Sequence, residues 1–502
     1  MAGVERAGYV PGADLESDRI QSNCGLFAVI YVGENSNGLD LKSMVLSAGA
    51  DLQQRAQGAA GYAVFDGGGK ATVIKGLGKI DVAFQEGRLI PSVEDSRIAI
   101  LHTRYATAGG SDHVPNIQPL TLNGLTLAHH GNLTNAEEIR ASIGNIPMGE
   151  NFPDNDSWIA LNAIDQAPGN SLAEKLINAQ RQFEGGWAFI VSDGKSVVAS
   201  RDPQGIRPLF LATVGSEEDP QAFILSVETA PFRGLEVDNF REVLPGETIS
   251  IEGKKVVTAD LSPDADQRSC LFELVYMMNL HSEFMGREIY AARRQAGHLL
   301  WQEQPVNIGD DEELVVMSIP NSGRPSGLGY YQEARKTLGE RVYYDEGIVA
   351  NTYVGRNFIN PVGERSPSKK FSPIEELLRD KIAVFVDDSL VRGETMTGLV
   401  RMALRSGAKE VHVRLASPPI VRPCFWGVAM STYAELSAVN IPDINDRARE
   451  LGANSLGYLS LEGLFKACGV DSREKFCAHC FGGNSPHMSN GANGAIRLVE
   501  VK

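Results

Sequence analysis

The sequence predicts two folded domains, an α+β domain of layered antiparallel sheets followed by an α/β domain built on a parallel sheet. Its 502 residues are too many for one hydrophobic core. Before residue 262, short β-type runs follow one another with few long helices, which is typical of antiparallel sheets. Beyond residue 268, strands alternate with helices, as in the βαβ units of a parallel sheet. The polar, turn-prone stretch 262–268 therefore marks the boundary.

Short apolar runs define the strands, and one amphipathic segment defines a helix. The predicted strands cover Leu26–Val32, Ile98–His102, Leu125–His129, Ala188–Ser192, Val197–Ser200, Phe223–Ser226, Leu314–Ile319, Lys381–Val386 and Glu410–Leu415. The apolar residues that recur with the 3.6-residue period are Met396, Leu399, Val400, Ala403 and Leu404. Gly407 is expected to end this helix. Strand, loop, helix and strand thus predict a parallel βαβ unit over residues 381–415.

Composition excludes several classes of protein. The chain carries 63 acidic and 47 basic residues, a formal net charge of -16, which argues against nucleic acid or an anionic membrane as a partner. No apolar run approaches the ~18 residues that span a bilayer. The first 23 residues lack the apolar core of a secretory signal and are acidic, so a cytoplasmic location is expected. Six cysteines are too few for a disulfide scaffold there.

The segment Val384–Thr395 is the most specific motif in the sequence. Two adjacent acids, Asp387 and Asp388, end a buried apolar strand. Carboxylates at a strand end bind ribose hydroxyls or a hard cation such as Mg²⁺, and the N-terminus of a following helix suits a phosphate. The loop that leads into that helix carries Ser389, Arg392, Gly393 and Thr395. In a doubly wound sheet, this edge is where ligands bind.

This motif resembles the 5-phosphoribosyl-1-pyrophosphate (PRPP) motif of type I phosphoribosyltransferases. The segments Tyr353–Pro361, Ala416–Ile420, Leu451–Ser455 and Tyr458–Gly463 extend the similarity, and with them the chain resembles the amidophosphoribosyltransferases over about residues 24–485. These are the glutamine-dependent enzymes of the first committed step of purine synthesis. The resemblance implies that ammonia from glutamine is transferred to PRPP, giving 5-phosphoribosylamine, glutamate and pyrophosphate.

The same resemblance implies a PRPP site. Asp387 and Asp388 would hold the ribose hydroxyls and one Mg²⁺ per subunit, and Ser322 matches a position associated with the metal. The implied phosphate and pyrophosphate contacts are Arg356, Ser389, Arg392, Gly393 and Thr395. A mobile loop over PRPP would fall at about residues 363–373, with Lys369 or Lys370 facing the ligand or simply solvated at the surface.

Cys24 lies in the segment Ser22–Phe27. Together with Ile98–Ala108 and Leu127–Leu133, this segment resembles the glutaminase domain of class II, or Ntn-type, amidotransferases, an αββα sandwich. The resemblance implies that residues 1–23 are a propeptide and that Cys24 becomes the N-terminal residue. Its α-amino group, with a pKa near ~8, would then serve as the base for its own thiol.

The implied glutamine site departs from the family pattern. Arg104 would pair with the α-carboxylate, Asp156 with the α-ammonium, and Arg55 would belong to a mobile glutamine loop, while the Gly131 N–H would form the oxyanion hole. His130 stands where the family has an asparagine that donates the second oxyanion hydrogen bond. Further departures are Ala56 for a glycine and Trp158 for an acid. We therefore expect a glutaminase that is present but weakened or retuned.

The remaining cysteines suggest a metal site. Cys477 and Cys480 form a C-x₂-C pair, and Cys270 and Cys424 complete a set of four that suits either tetrahedral zinc or an iron–sulfur cluster. The resemblance to the iron–sulfur branch of the family favours a [4Fe–4S] cluster. Cys468 matches no ligand and is expected to pack in a core.

The implied organisation is a propeptide (1–23), a glutaminase domain (24–262), a phosphoribosyltransferase domain (263–470) and a cluster-binding tail (471–502), in a homo-oligomer, dimer or tetramer. Three alternatives stay open. Glucosamine-6-phosphate synthase has a similar first domain but should lack the 387–395 motif. An ammonia-dependent phosphoribosyltransferase with a vestigial glutaminase would explain the departures. A non-catalytic regulatory paralogue is disfavoured because Cys24, Arg104, Asp156, Asp387 and Asp388 are all present.

Overall fold

The computed structural model describes residues 24–33, 40–84, 96–104, 113–144, 146–237, 239–262, 266–320, 322–350, 371–428, 430, 432–470 and 472–486. Within these residues the chain forms two large antiparallel sheets, a five-stranded parallel sheet and three two-stranded ladders. No helix among the described residues is both long and apolar enough to cross a membrane.

The first half of the chain packs two antiparallel sheets face to face. The first sheet contains, in spatial order, Phe240–Glu242, Phe210–Gly215, Pro220–Ser226, Gly25–Tyr31, Ile98–Arg104, Ala59–Phe65 and Ala71–Leu77. The second contains Lys255–Leu261, Glu247–Glu252, Val197–Arg201, Gly185–Ser192, Leu125–Leu133 and Leu120–Leu122. Helix Leu41–Leu52 packs on the outside of the first sheet, and helix Asp156–Gln166 on the outside of the second. Four layers result, and the central strands are buried on both faces.

The second half is built on a parallel sheet with helices on both faces. Its strand order is Val342–Tyr344, Leu314–Ser318, Ile382–Asp387, Glu410–Leu415 and Ser455–Tyr458. One face packs against Glu394–Arg405 and Ile444–Leu451, through residues such as Phe385 and Leu399. The other packs against Ile289–Glu303 and Arg324–Leu338, through residues such as Val384 and Tyr330. Burial on both faces explains the continuous apolar run of strand Ile382–Asp387.

The remaining elements are short. The other helices are Ile80–Ala83, Ala136–Ile143, Leu172–Gln180, Ala230–Gly234, Glu375–Leu378, Ser437–Asn440 and Leu461–Ala467. The two-stranded ladders pair Ser269–Cys270 with Phe476–Cys477, Glu283–Phe284 with Arg287–Glu288, and Ile348–Ala350 with Phe371–Pro373. Single helical turns lie at Val114–Asn116, Gly339–Arg341, Tyr433–Glu435, Arg473–Lys475 and His479–Phe481, and Glu273–Met277 forms one π-helical turn.

The predicted fold class is confirmed, and the predicted elements lie close to their expected bounds. The strand Glu410–Leu415 has the bounds that its apolar pattern predicts. The predicted helix runs from Glu394 to Arg405 and ends in a turn at Gly407, whose φ of +91° favours glycine. The strand Leu125–Leu133 is longer than its apolar run, because its polar end is buried beneath the segment around Gly427.

Candidate active sites

Cys24 lies at the start of the central strand of the first sheet. The N–H of Gly25 donates to Thr103 Oγ1 at 3.0 Å, which ties this end of the strand to its neighbour. The next residue of that neighbour is Arg104, which is buried, and its Nη1 has no hydrogen-bond partner among the described residues. Burial lowers the pKa of Arg104, while the negative charges of Cys24 and Asp154 oppose that change. A buried guanidinium therefore lies in the field of the thiol, with capacity to bind a carboxylate.

Asp156 is the first residue of the helix Asp156–Gln166 and accepts hydrogen bonds from the strand beneath it. Its Oδ2 accepts from the N–H of Leu133 at 3.0 Å, and its Oδ1 from the N–H of Ser157 at 2.8 Å. His129 Nδ1 lies 3.6 Å from Oδ2. Burial raises the pKa of Asp156 to about 6, although the two N–H groups oppose the rise. A bound cation would strongly stabilise the ionised form of such a carboxylate, which fits the predicted contact of Asp156 with the α-ammonium group of glutamine.

Arg55 occupies a buried cluster of charges between the two halves of the chain. Its Nη1 and Nη2 donate to Glu273 Oε2 and Oε1 at 3.0 and 2.9 Å, a bidentate pair with no exposed side-chain surface. Its Nε donates to the carbonyl oxygen of Cys24 at 3.1 Å, and Glu228 Oε1 lies 3.6 Å from Nη1. Opposing burial, the charges of Arg55 and Arg207 hold the pKa of Glu273 far below its usual range.

The structure therefore shows Arg55 bound to an acid of the second half. The sequence places Arg55 in a mobile glutamine loop, and that role stays a prediction. To bind glutamine, Arg55 would have to leave Glu273, at a cost set by the bidentate buried pair.

His130 points into the same cluster. Its Nε2 lies 3.3 Å from Arg55 Nη2 and 3.8 Å from Glu273 Oε1. Burial, together with the charges of Arg55 and Arg207, keeps the pKa of His130 well below its usual value, so the imidazole is neutral at neutral pH. The guanidinium can only donate, so its contact with Nε2 favours the tautomer with the proton on Nδ1, whereas a hydrogen bond from Nε2 to Glu273 requires the proton on Nε2. That Nδ1 is buried and bonds to no described residue.

Gly131 is held between two segments that leave no room for a side chain. Its φ is +145°, and a Cβ atom there would overlap the carbonyl oxygen of Gly186. From the other side, a Cβ on Gly427 would lie 3.1 Å from Gly131, and Asn132 Nδ2 donates to the carbonyl oxygen of Phe425 at 2.8 Å. The strand that carries the predicted oxyanion donor is therefore packed against a segment of the second half.

Asp387 and Asp388 lie at the carboxyl end of the central strand of the parallel sheet. Asp387 Oδ1 accepts the N–H of Asp388 at 2.9 Å, and Ser389 Oγ donates to Asp388 Oδ1 at 2.6 Å. Asp388 Oδ2 is buried and bonds to no described residue. A Cβ on Gly323 would lie 3.1 Å from the Cα of Asp387, so the loop that contains Ser322 lies against the same strand end. A carboxylate oxygen without a protein partner fits a cation site.

The loop after these acids leads into a helix N-terminus. Gly393 is the N-cap, with a φ of +90°, a conformation that favours glycine. Thr395 lies in the first turn and is partly exposed. Arg392 forms an ion pair with Glu435. Arg356, Lys369, Lys370 and residues 1–23 lie outside the described residues.

Cys270, Cys424, Cys477 and Cys480 are all buried. Cys270 lies opposite Cys477 in the parallel ladder, and the carbonyl oxygen of Cys480 accepts the N–H of Val421. Among the described residues, no three histidine, cysteine or acidic side chains come together at metal-binding spacing. Burial and the neighbouring thiols nevertheless raise the pKa of Cys480 well above its usual value, and burial raises that of Cys270 to about 11.

Arg207 lies between these cysteines and the cluster around Glu273. It has no exposed surface, and none of its three guanidinium nitrogens hydrogen-bonds to a described residue. Its Nη2 lies 3.4 Å from Glu273 Oε1. Burial lowers the pKa of this guanidinium, but electrostatic interactions with Cys270, Glu273, Cys424 and Asp202 outweigh burial and raise it. Of the four thiols, those of Cys270 and Cys424 interact electrostatically with this unsatisfied buried cation.

The sequence motifs do not identify Glu273 and Arg207 as parts of the site, although each is an isolated charge in an apolar run. Glu273 is a single acid within the apolar run Cys270–Met278, and Arg207 is a single cation in the largely apolar run Ile206–Leu211. A charged side chain in an otherwise apolar run is buried only when it is paired. The partners are 218 residues apart for Arg55 and Glu273, so no local pattern could identify them.

These sites define a class of protein, a glutamine amidotransferase joined to a phosphoribosyltransferase. The family model described as a glutamine amidotransferase domain matches residues 102–229. The chain is 34% identical over 447 residues to the amidophosphoribosyltransferase of Bacillus subtilis, covering 87% of this chain and 89% of that protein. It is 32% identical to the amidophosphoribosyltransferase of a Synechocystis strain, covering 94% of this chain and 92% of that protein.

A solved structure agrees with these relatives. The glutamine PRPP amidotransferase of B. subtilis, in complex with ADP and GMP, matches with a TM-score of 0.78 and 30% identity, covering 92% of this chain and 97% of that one. The chain belongs to the amidophosphoribosyltransferase family, the enzymes of the first step of purine biosynthesis. The family expected from the sequence motifs is confirmed.

Substitution of Glu273 by glutamine tests the buried cluster. Glu273→Gln leaves Arg55 and Arg207 without their shared carboxylate, so we expect it to lower the free energy of unfolding by about 3–5 kcal/mol. Glu288→Gln is the control, because its pair with Arg233 is largely exposed and contributes about 0–1 kcal/mol. Urea denaturation of the purified chain measures both. Equal effects would contradict a stabilising role for the cluster.

Proposed function

We propose that Cys24 is the nucleophile that releases ammonia from glutamine and that the Asp387–Thr395 loop binds the PRPP to which this ammonia is transferred. The observation that carries the proposal is the buried, incompletely paired Arg104 beside Cys24. Arg104 binds the α-carboxylate of glutamine and Asp156 its α-ammonium. The side-chain amide is then directed to the thiol.

The glutaminase step begins with the thiol of Cys24. Removal of residues 1–23 frees its α-amino group, which takes the thiol proton. The thiolate attacks the amide carbon, and the resulting oxyanion is stabilised by the N–H of Gly131 and by the Nδ1–H of His130. The tetrahedral species collapses, ammonia leaves with a proton from the α-ammonium, and a thioester remains. Water hydrolyses the thioester to glutamate and regenerates the thiol.

The transferase step takes place at the carboxyl end of the parallel sheet. Gly393 and Thr395 bind the 5-phosphate at a helix N-terminus, and Ser389 and Arg392 lie in the same loop. Asp387 and Asp388 hold the ribose hydroxyls and, with Ser322, one Mg²⁺ ion, for which the unpartnered Oδ2 of Asp388 is suited. When bound, Mg²⁺ neutralises the pyrophosphate leaving group. Ammonia forms the bond to C1 as the bond to pyrophosphate breaks, and the resulting ammonium group releases a proton to solvent. Arg356 stabilises the charge of the departing pyrophosphate.

The proposal includes a [4Fe–4S] cluster held by Cys270, Cys424, Cys477 and Cys480. It is supported by the burial of the four thiols and by the pairing of Cys270 with Cys477 in the parallel ladder. The cluster would fix the segment 471–486 to the rest of the chain. We further infer a cytoplasmic homo-oligomer, a dimer or tetramer, as the family resemblance suggests.

Two variants test whether the first half of the chain releases ammonia from glutamine and the second half transfers it to PRPP. Cys24→Ala should abolish glutamine-dependent pyrophosphate release but retain the ammonia-dependent reaction, because ammonia bypasses the thioester. Asp388→Asn should abolish both the glutamine-dependent and the ammonia-dependent activity. The control Cys468→Ala, a buried thiol with no assigned role, should keep the ratio of the two activities.

The parent chain discriminates the alternatives in the same assay. Ammonia-dependent activity without PRPP-dependent glutamate release would favour a vestigial glutaminase. Absence of both activities would favour a regulatory paralogue.

His130→Asn tests whether His130 limits the glutaminase. An asparagine amide donates a hydrogen bond and is too short to repeat the contact of His130 Nε2 with Arg55, so we expect PRPP-dependent glutamate release to rise by about ten- to a hundredfold. Ammonia-dependent activity should be unchanged. The control is His412→Asn, because His412 lies in strand Glu410–Leu415 of the parallel sheet, where its Nδ1 is 2.8 Å from Ser455 Oγ. Unchanged or lower glutamate release in His130→Asn would refute a limiting role.

Glutamine binding should depend on the ionisation of Asp156. Its pKa of about 6 predicts that the affinity of a Cys24→Ala chain for glutamine is constant above that pH and falls about tenfold per pH unit below it, because the protonated acid cannot pair with an ammonium group. Calorimetric titration between pH 8 and about 5 measures this. Asp156→Asn should bind weakly with no such dependence, and a flat profile for the Cys24→Ala chain would contradict the assignment.

A further inference from the structure

The segment 416–427 connects the two proposed sites along a short stretch of chain. It begins directly after a strand of the parallel sheet, where the N–H of Ala416 donates to the carbonyl oxygen of Asp387 at 2.9 Å. It ends beside the strand of the predicted oxyanion donor, where the carbonyl oxygen of Phe425 accepts from Asn132 Nδ2 at 2.8 Å. One segment of the second half therefore contacts both the acid proposed to bind PRPP and a strand of the glutaminase.

The contact at Gly131 is formed by backbone atoms on both sides. A Cβ on Gly427, which has a φ of +107°, would lie 3.1 Å from the Cα of Gly131. A Cβ on Gly131 itself would overlap the carbonyl oxygen of Gly186 in the neighbouring strand. Backbone atoms have no rotamers that could relieve such a contact, so the segment 416–427 cannot move toward the strand without displacing it.

Residues near the C-terminus hold the same segment. The N–H of Val421 donates to the carbonyl oxygen of Cys480 at 2.8 Å. The rings of Phe425 and Trp426 pack against the ring of His479, with centroids 5.7 and 5.2 Å apart. Contacts within the second half therefore fix the segment independently of its hydrogen bond to the first half.

We propose that Asn132 is a positioning residue of the glutaminase, which holds the strand of Gly131 in place through the carbonyl oxygen of Phe425. The rate of amide hydrolysis thereby depends on a segment of the transferase half. The inference rests on the glutaminase and PRPP sites proposed above. Asn132 acts through its strand and not on glutamine itself. A misplacement of about 1 Å in a catalytic group costs about a hundredfold in rate, so a single anchoring bond is sufficient to affect the reaction.

Loss of this bond should change the rate constant and not the binding of glutamine. The oxyanion forms only in the transition state, whereas Arg104 and Asp156 hold bound glutamine. We expect Asn132→Ala, and the isosteric Asn132→Asp, whose carboxylate cannot donate, to lower the kcat of glutamate release by about ten- to a hundredfold. Ammonia-dependent activity should be unchanged. So should glutamine affinity, measured by calorimetry with each substitution combined with Cys24→Ala.

A substitution in the second half tests the link between the halves. In Gly427→Ala the added Cβ meets the backbone of Gly131, so glutamate release should fall while the ammonia-dependent reaction is retained. Gly286→Ala is the matched control, because this glycine also has a positive φ, +70°, but a Cβ there meets no atom of the described residues within 4 Å. The control for Asn132 is Asn135→Ala, whose Nδ2 donates at 2.8 Å to a carbonyl oxygen of the first half, that of Gln182. Both controls should keep the parent kcat.

The outcomes separate the inference from the proposed function. An unchanged kcat in both Asn132 variants, or an equal loss in Asn135→Ala, would overturn the positioning role while Cys24 remains the nucleophile. Weaker glutamine binding with an unchanged kcat would also overturn it. If Asn132→Ala does not fold, as judged by urea denaturation, Asn132→Asp and Gly427→Ala decide by the same criteria. A parent chain that releases no glutamate from glutamine would refute the glutaminase itself, and this inference with it.

Discussion

The bidentate pair between Arg55 and Glu273 is the interaction on which the active architecture depends. It joins a loop of the first half to the π-helical turn of the second, and neither side chain reaches solvent. Buried charges are tolerated only when they are paired, so each residue requires the other. Arg207 and Glu228 extend the pair into a group of two cations and two acids. The packing of the two halves is thereby coupled to the geometry around Cys24, whose carbonyl oxygen accepts from Arg55.

This constraint gives the departure at residue 130 a physical meaning. A histidine reaches farther than an asparagine, and here its Nε2 lies against Arg55 rather than in solvent. The contact with the guanidinium is a further interaction that keeps Arg55 in place. This contact stabilises Arg55 in its pair with Glu273, which supports the proposal that His130 retunes the glutaminase.

Local patterns in the sequence predict much of this structure, because the elements are specified by periodicity and by turn residues. The strand Glu410–Leu415 and the helix Glu394–Arg405 follow from apolar spacing, and Gly393 and Gly407 from the need for positive φ at the helix ends. Asp387 and Asp388, at the end of a strand, are also identified from a local sequence pattern. The charge cluster is different, since its members come from distant segments and each appears alone in the sequence. Pairing across such separations depends on how the two halves dock, which no local pattern encodes.

The six cysteines illustrate how tertiary position divides chemically identical groups. All six are buried, so burial alone would keep every thiol protonated. Their neighbouring cations differ: Arg104 lies in the field of Cys24, whereas Arg207 lies in the fields of Cys270 and Cys424.

Cys468 shows the effect of burial on a thiol to which no ligand role is assigned. Burial raises its pKa to about 12, although the charges of Arg293 and Arg287 oppose the rise. Burial likewise raises the pKa of Cys270 to about 11, even though Arg207 opposes the rise. The ligand set proposed for the cysteines therefore rests on their positions in the fold and not on the acidity of the free thiols, since metal binding itself removes the proton.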